Sequence, residues 1–312
     1  IGFNDTDNSS LFIPIPRPSD SIGTLIIGGI FALIVVTILI LITCCANGPT
    51  KKRKPLHSNA VSIECLETHS TSLVPSGNNT LPNSKCSEPE ELQRRISEIT
   101  VERCRVRLSN LVQEGTFGRV YKGTYNETQD VLVKTVSQEA NQIQVSMLLQ
   151  EGMSLYGACH EGILSVFGVS IEDHTAPFLL YDAENNTKNL KLFLHEPVAR
   201  TITTIHIVQL AIQLASALSH LHAHGVVHKD IATRNCTVDD DLTVKLSDTS
   251  LSRDLFPQDY HCLGDRENRP IKWYSLEALC KKQFTEASDA WAFGCLIWEL
   301  CTLAKQPYVD VR

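Results

Sequence analysis

The 312-residue chain carries 28 Lys and Arg against 35 Asp and Glu, a net charge of −7 that offers no basic footprint for nucleic acid. Its 11 cysteines are scattered without a CxxC pair, which argues against a disulfide framework or a zinc site and suits a reduced, cytosolic setting for most of the chain. The length allows one large domain with accessory segments or two ordinary domains, and the start at Ile1 and the end at PYVDVR read as those of a fragment.

The first predicted element is apolar. SIGTLIIGGIFALIVVTILILITCCA, residues 21–46, holds no charged side chain. About 20 apolar residues cross a hydrocarbon core of roughly 30 Å, so a transmembrane helix is predicted over 22–46. A buried core helix rarely runs so long without polar interruption, and a signal peptide would be shorter with its basic flank first. Lys51-Lys52-Arg53-Lys54 follows the span, whereas only Arg17 precedes it, beside Asp5, Asp7 and Asp20. The excess of positive charge places the C-terminal side in the cytosol. Residues 1–21 are then an extracellular stub in which Asn4 and Asn8 head glycosylation triplets. This is the layout of a single-pass type I protein of the plasma membrane. Thr24, Gly28 and Ala32 recur every four residues, a spacing that lets two spans pair as a homo- or heterodimer, although small residues are common in membrane helices anyway. Cys44 and Cys45 stand at the cytosolic boundary, either as palmitoylation sites or as unmodified thiols.

Residues 47–104 read as a juxtamembrane linker. STSLVPSGNNTLPNSKCSEPEE has too little apolar surface to offset the entropy of ordering, so this stretch is expected to be disordered or loosely ordered. Its tetrabasic start suits contact with anionic lipid.

From residue 105 the composition becomes globular. In order, the chain reads QEGTFGRVYKG, VLVKTV, SMLLQEGMSLYG, VVHKDIATRN, VKLSDTS, IKWYSLEAL and ASDAWAFGCLIWEL. This order and spacing resemble the protein kinase fold, and IATRN with RPIKWYSLE resembles its tyrosine kinase branch. The expected fold is therefore α+β: a two-lobed protein kinase-like fold over 105–312 with its C-lobe truncated, preceded by the single transmembrane helix and the linker. The small β-rich lobe is expected to end near Tyr181. Truncation is expected to expose the helix bearing Trp291 and Trp298 and to leave the isolated fragment unstable.

The resemblance implies ATP and Mg2+ as ligands and assigns positions to them. Gly115 and Gly118 would let backbone N–H groups approach the phosphates, with Gln113 at the first glycine position crowding the ribose and Val120 beside it. Lys134 would hold the α- and β-phosphates, and Glu151 on the following helix would pair with it, with Glu161 as a nearby competitor. Asp230 matches the acceptor of the substrate hydroxyl proton, and Asn235 and Asp248 match the metal ligands. Lys229 stands where an Arg is usual and offers a point charge in place of a planar fork, which should blunt any response to loop phosphorylation. Thr249 and Ser250 stand where Phe and Gly are usual; Thr cannot fill an aromatic slot, so the Asp248 carboxylate is expected to be present but poorly held. Phosphoryl transfer is expected to be absent or vestigial.

LSRDLFPQDYHCLGDRENRP, with NLKLFL and HKDIATRN, narrows the resemblance to the Ryk/Derailed family of receptor-like tyrosine kinases. That resemblance implies a Wnt co-receptor acting in axon guidance, with a pseudokinase domain and with Frizzled, Dishevelled or Src-type kinases as partners. Tyr260 matches an activation-loop tyrosine, either phosphorylated by another kinase or packed within the loop. The competing expectation is a weakly active receptor tyrosine kinase, because Lys134, Asp230, Asn235 and Asp248 are all present.

Overall fold

The computed structural model describes residues 88–183 and 186–308. The expected membrane span, Cys44 and Cys45, the tetrabasic run, and Asn4 and Asn8 lie outside the described residues.

The last part of the expected linker is ordered, which corrects its reading as loose chain up to residue 104. Glu88–Glu98 forms helix α1. Leu92, Ile96 and Ile99 recur at helical spacing and pack against Leu148, Met153 and Tyr156 of the small lobe. The chain then runs along the edge of the sheet, where Val101 N donates to Val169 O at 2.8 Å and Val169 N donates to Ile99 O at 2.9 Å. Three well-spaced apolar residues and one edge to pair with were enough to order this segment.

The small lobe is a five-stranded antiparallel sheet in the order β1-β2-β3-β6-β5. Its strands are β1 Val106–Glu114, β2 Gly118–Tyr125, β3 Gln129–Val136, β5 Val166–Ser170 and β6 Phe178–Asp182. Strands β2 and β3 pair without a break from Gly118↔Val136 to Tyr125↔Gln129, which sets Lys134 directly opposite Val120. Helix α2, Gln142–Gly152, packs on the sheet. Asn141 caps it: the Asn141 carboxamide accepts from Gln144 N at 3.0 Å while Gln144 Oε1 accepts from Asn141 N at 2.9 Å. At its end Gly152 lies against the sheet so closely that a Cβ would fall 2.2 Å from Leu179 Cδ1, and this approach requires glycine.

The second lobe is mainly helical. Its small sheet, in the order β4-β9-β8-β7, is built from β4 Ile163–Leu164, β7 Lys188–Asn189, β8 Cys236–Val238 and β9 Val244–Ser247. Around it lie α3 Leu190–His195, α4 Thr204–Ala223, α5 Ser252–Leu255, α6 Leu276–Lys281 and α7 Glu286–Cys301. By length and composition α4 is apolar enough to cross a membrane. It is a core helix here, because Leu210, Leu214, Ala217, Leu218 and Leu221 form one buried stripe against Ile231, Leu246 and Leu296. Trp291 and Trp298 on α7 are exposed, at 51% and 37%.

The first turn of α7 supports the loop on which the chemistry would depend. Asp289, buried on that turn, accepts from His228 N at 2.7 Å, from Lys229 N at 2.8 Å and from His222 Nε2 at 3.0 Å. Lys229 has a left-handed φ of 72°, a conformation that costs a non-glycine residue about 1–3 kcal/mol and persists only where neighbours enforce it. The two amide bonds to Asp289 do so.

Candidate active site

The glycine-rich hairpin is the roof of the cleft. It closes through Gly115 N donating to Gly118 O at 2.9 Å. Its next three amides converge on one acceptor, the carboxylate of Asp254 in α5: Thr116 N at 3.0 Å, Phe117 N at 3.1 Å and Gly118 N at 2.7 Å. A Cβ on Gly115 would lie 2.1 Å from Asp254 Oδ2, so the missing side chain does serve the close approach of an anion. That anion belongs to the chain itself. Val120 and Leu132 of the roof pack in one cluster with Leu251 and Leu255, and Gln113 also lines the cleft.

Lys134 reaches the cleft from β3 as expected, but Glu151 is not its partner. The ammonium donates to Asp248 Oδ1 at 3.0 Å, Ser247 Oγ at 3.2 Å and Ser250 Oγ at 3.3 Å, and lies 4.7 Å from the centre of the Tyr181 ring. Glu151 instead forms an ion pair with Arg253 of α5 and accepts from Thr249 Oγ1 at 3.4 Å. The correction has a physical cause. Arg253 brings a planar, multiply donating guanidinium to a carboxylate that burial pushes above its usual range, while Lys134 is already satisfied by Asp248. Glu161 plays no part in either pairing.

The expectation of a poorly held Asp248 is also corrected. Its carboxylate is buried and one oxygen takes three donors: Ser250 N donates to Oδ1 at 2.9 Å, and Ser250 Oγ and Lys134 Nζ donate to the same oxygen. The residue thought to loosen this acid is its main clamp, because a hydroxyl two residues on folds back onto the carboxylate. The backbone enters the left-handed region one residue after Ser250, at Leu251, with φ 65°.

Asp230 and Asn235 come together across the catalytic loop. Asn235 Nδ2 donates to Asp230 O at 2.7 Å and to Asp230 Oδ2 at 2.8 Å. Tyr260 Oη donates to that same oxygen at 2.6 Å, and Arg234 forms an ion pair with the other one. Arg234 also donates from Nε to Tyr260 Oη at 3.0 Å and lies over the Trp273 ring. Burial works against the Asp230 charge, but Arg234, with Tyr260 and Asn235, more than offsets it and holds the carboxyl below its ordinary range. Burial and the adjoining Asp230 carboxylate push the Tyr260 hydroxyl well above its own. Tyr260 is buried with its oxygen engaged, so of its two expected roles the structure shows the packed one. Asn235 Oδ1, the oxygen a metal would take, accepts from Ser252 Oγ at 2.5 Å. Lys229 places its Nζ 5.9 Å from the centre of the Phe284 ring, which itself packs edge-on against Tyr274 at 5.2 Å.

The cleft left between these groups has a volume of about 50 Å³. Small-molecule sites usually offer at least ~300 Å³. Asp248 and Asn235 are oxygen ligands of the kind magnesium takes. In this arrangement Asn235 Oδ1 and Asp248 Oδ1 are already bonded and the remaining space is far below that of a nucleotide site, so Mg2+ with a nucleotide does not fit. A wider surface groove of about 460 Å³, lined by His206, Gln209, Ile212, Gln213, Asp241 and Leu242, contains none of these residues.

Sequence reasoning missed the contribution of α5. Ser252, Arg253 and Asp254 each neutralise a different part of the site, on Asn235, on Glu151 and on the hairpin. The available signal was the SRD triplet held between Leu251 and Leu255, an apolar pair one helical turn apart with opposite charges between them.

A glycine-rich hairpin and a strand lysine facing an Asp–Asn loop, divided between a sheet lobe and a helical lobe, make this a protein kinase domain by architecture. A family model described as protein tyrosine and serine/threonine kinase matches residues 106–312. Tyrosine-protein kinase Dnt of Drosophila melanogaster is 58% identical over 98% of this chain and 57% of its own length. Tyrosine-protein kinase Drl of the same fly is 53% identical over 94% of the chain and 51% of its own length. A Caenorhabditis elegans protein named inactive tyrosine-protein kinase RYK is 34% identical over 76% of the chain and 46% of its length. The chain belongs to the protein tyrosine and serine/threonine kinase family, in its Ryk/Derailed branch. It spans about half the length of these curated relatives.

Proposed function

We propose that the chain acts in a single-pass plasma-membrane receptor of the Ryk type whose kinase-like domain transfers no phosphate and serves as a scaffold. The observation that carries this reading is the Tyr260–Asp230 bond: the oxygen that would accept a substrate hydroxyl proton is taken by a hydroxyl of the same chain. The filled cleft and the Glu151–Arg253 pair support it. The inactive naming of the Caenorhabditis elegans relative agrees with it. Wnt engagement, and Frizzled, Dishevelled or Src-type kinases as partners, belong to the same proposal and rest on family membership. The membrane placement rests on the uncharged stretch over 22–46 and its basic flank. The full chain in detergent, given Mg2+ and radiolabelled ATP, is expected to label a tyrosine peptide no faster than its Asp230→Asn variant. Labelling by the wild type that the variant abolishes would sink the proposal.

One observation favours a second reading, a weakly active receptor tyrosine kinase: Lys134, Asp230, Asn235 and Asp248 all remain, three of them lining one cleft and Asp230 bonded to Asn235. Under that reading Tyr260→Phe would raise labelling above the wild type, and Asp230→Asn would remove the gain.

A further inference from the structure

We propose that Asp254 is a built-in occupant of the phosphate cradle, a side-chain anion that determines whether a polyphosphate-bearing ligand can enter the cleft. The inference rests on the reading of this cleft as a closed nucleotide site and adds the group that closes its anion end. Three consecutive amides, Thr116, Phe117 and Gly118, point at one carboxylate at 3.0, 3.1 and 2.7 Å. Successive backbone N–H groups turned to one side form a nest that is selective for anions. No Lys or Arg among the described residues forms an ion pair with Asp254, so these amides carry its charge compensation. The space freed at Gly115 and Gly118 is filled by its Oδ2, which sits 2.1 and 3.0 Å from where their Cβ atoms would be. A phosphate entering the cradle would need the same three donors, and two anions cannot share them.

The backbone that carries Asp254 is held by its neighbours. It sits on α5, and every neighbouring residue of that helix is fastened. Leu251 packs under Gly118 with its Cδ2 3.0 Å from that glycine's Cβ position, Ser252 bonds Asn235, and Arg253 bonds Glu151. A shift of α5 would withdraw the Asp254 carboxylate from the hairpin and Arg253 from Glu151 together. Anion entry and repair of the Lys134–Glu151 pair are consequently linked, each favouring the other. The ligand class this subsite would take is a linear polyphosphate or the polyphosphate tail of a nucleotide.

The test uses the full chain in detergent as wild type, Asp254→Ala and Asp254→Asn, with Asp173→Asn on an exposed loop as the control. Two probes are titrated, inorganic tripolyphosphate and adenosine, and hydrogen exchange is followed at amides 116–118. Asp254→Ala is expected to speed exchange at those amides and to tighten tripolyphosphate binding roughly tenfold or more, the effect of about one charge-assisted hydrogen bond, while adenosine binding is unchanged. Asp254→Asn should fall between, and the control should match the wild type. Unchanged exchange in Asp254→Ala, no gain for tripolyphosphate, or an equal gain for adenosine would each overturn the inference. Neither readout involves turnover, so phosphate transfer by the wild type would defeat the scaffold reading and leave this test standing.

Discussion

The catalytic loop and helix α5 face each other across the cleft and have been treated oppositely. The loop keeps Asp230 and Asn235 and the buried support that aims them, Asp289 beneath its first residues. Helix α5 carries none of the residues that would transfer phosphate, yet its Ser252, Arg253 and Asp254 occupy the partners those residues would need. The contrast teaches that a kinase-like site can keep its machinery while other groups of the same chain take that machinery's partners. A survey of catalytic residues alone would miss these occupants.

The comparison can be broken most severely from the loop side. Asp289→Ala leaves two amides and His222 without their acceptor and is expected to cost about 3–5 kcal/mol, read as a lowered denaturant midpoint in the full chain. Loss below ~1 kcal/mol would mean that the loop is held by something else. Removing the occupant from Asp230 comes next. Tyr260→Phe deletes one bond to a charged carboxylate and leaves Arg234 Nε short of an acceptor, an expected loss of about 2–3 kcal/mol by the same measurement. Ser250→Ala removes a hydroxyl from Asp248 but keeps the Ser250 amide bond, so a smaller loss of about 1–2 kcal/mol is expected.

The smallest effect concerns pH and separates two acids of the site, Asp230 and Glu151. Asp230 is held below its ordinary range, chiefly by Arg234 acting against burial, so its contribution to stability is present above the ordinary carboxylate value and lost as pH falls through the lowered one. Glu151 is raised by burial, with Arg253 opposing, so its contribution has the opposite sign: present below the ordinary value and lost as pH rises through the raised one. Acid unfolding of Asp230→Asn should accordingly be shallower than that of the wild type, and that of Glu151→Gln should not be. Identical acid limbs for wild type and Asp230→Asn would show that the Asp230 charge does not stabilise the fold.

Much of the site was legible before any coordinates. Lys134, Asn235 and Asp248 line one cleft, Gly115 and Gly118 belong to its roof, and Asp230 is bonded to Asn235. Glu151 was placed on the correct helix and given the wrong partner, since no local pattern says which of two cations a carboxylate will meet 102 residues away. Ser250 was read only as standing where a glycine is usual, and its hydroxyl bonds the Asp248 carboxylate two residues before it.

What the sequence determined by itself was whatever depends on spacing along one element: the strand lysine, the glycine hairpin, the amphipathic α4 and the order of the motifs. Short-range sterics and periodicity are enough for these, because every partner lies within a turn or a strand pair. What only the tertiary structure decided was which oxygen each donor meets. Arg253, Asp254 and Tyr260 are distant in the chain from Glu151, the hairpin amides and Asp230, and their pairing follows from how α5 and its flanking leucines seat against the roof of the cleft.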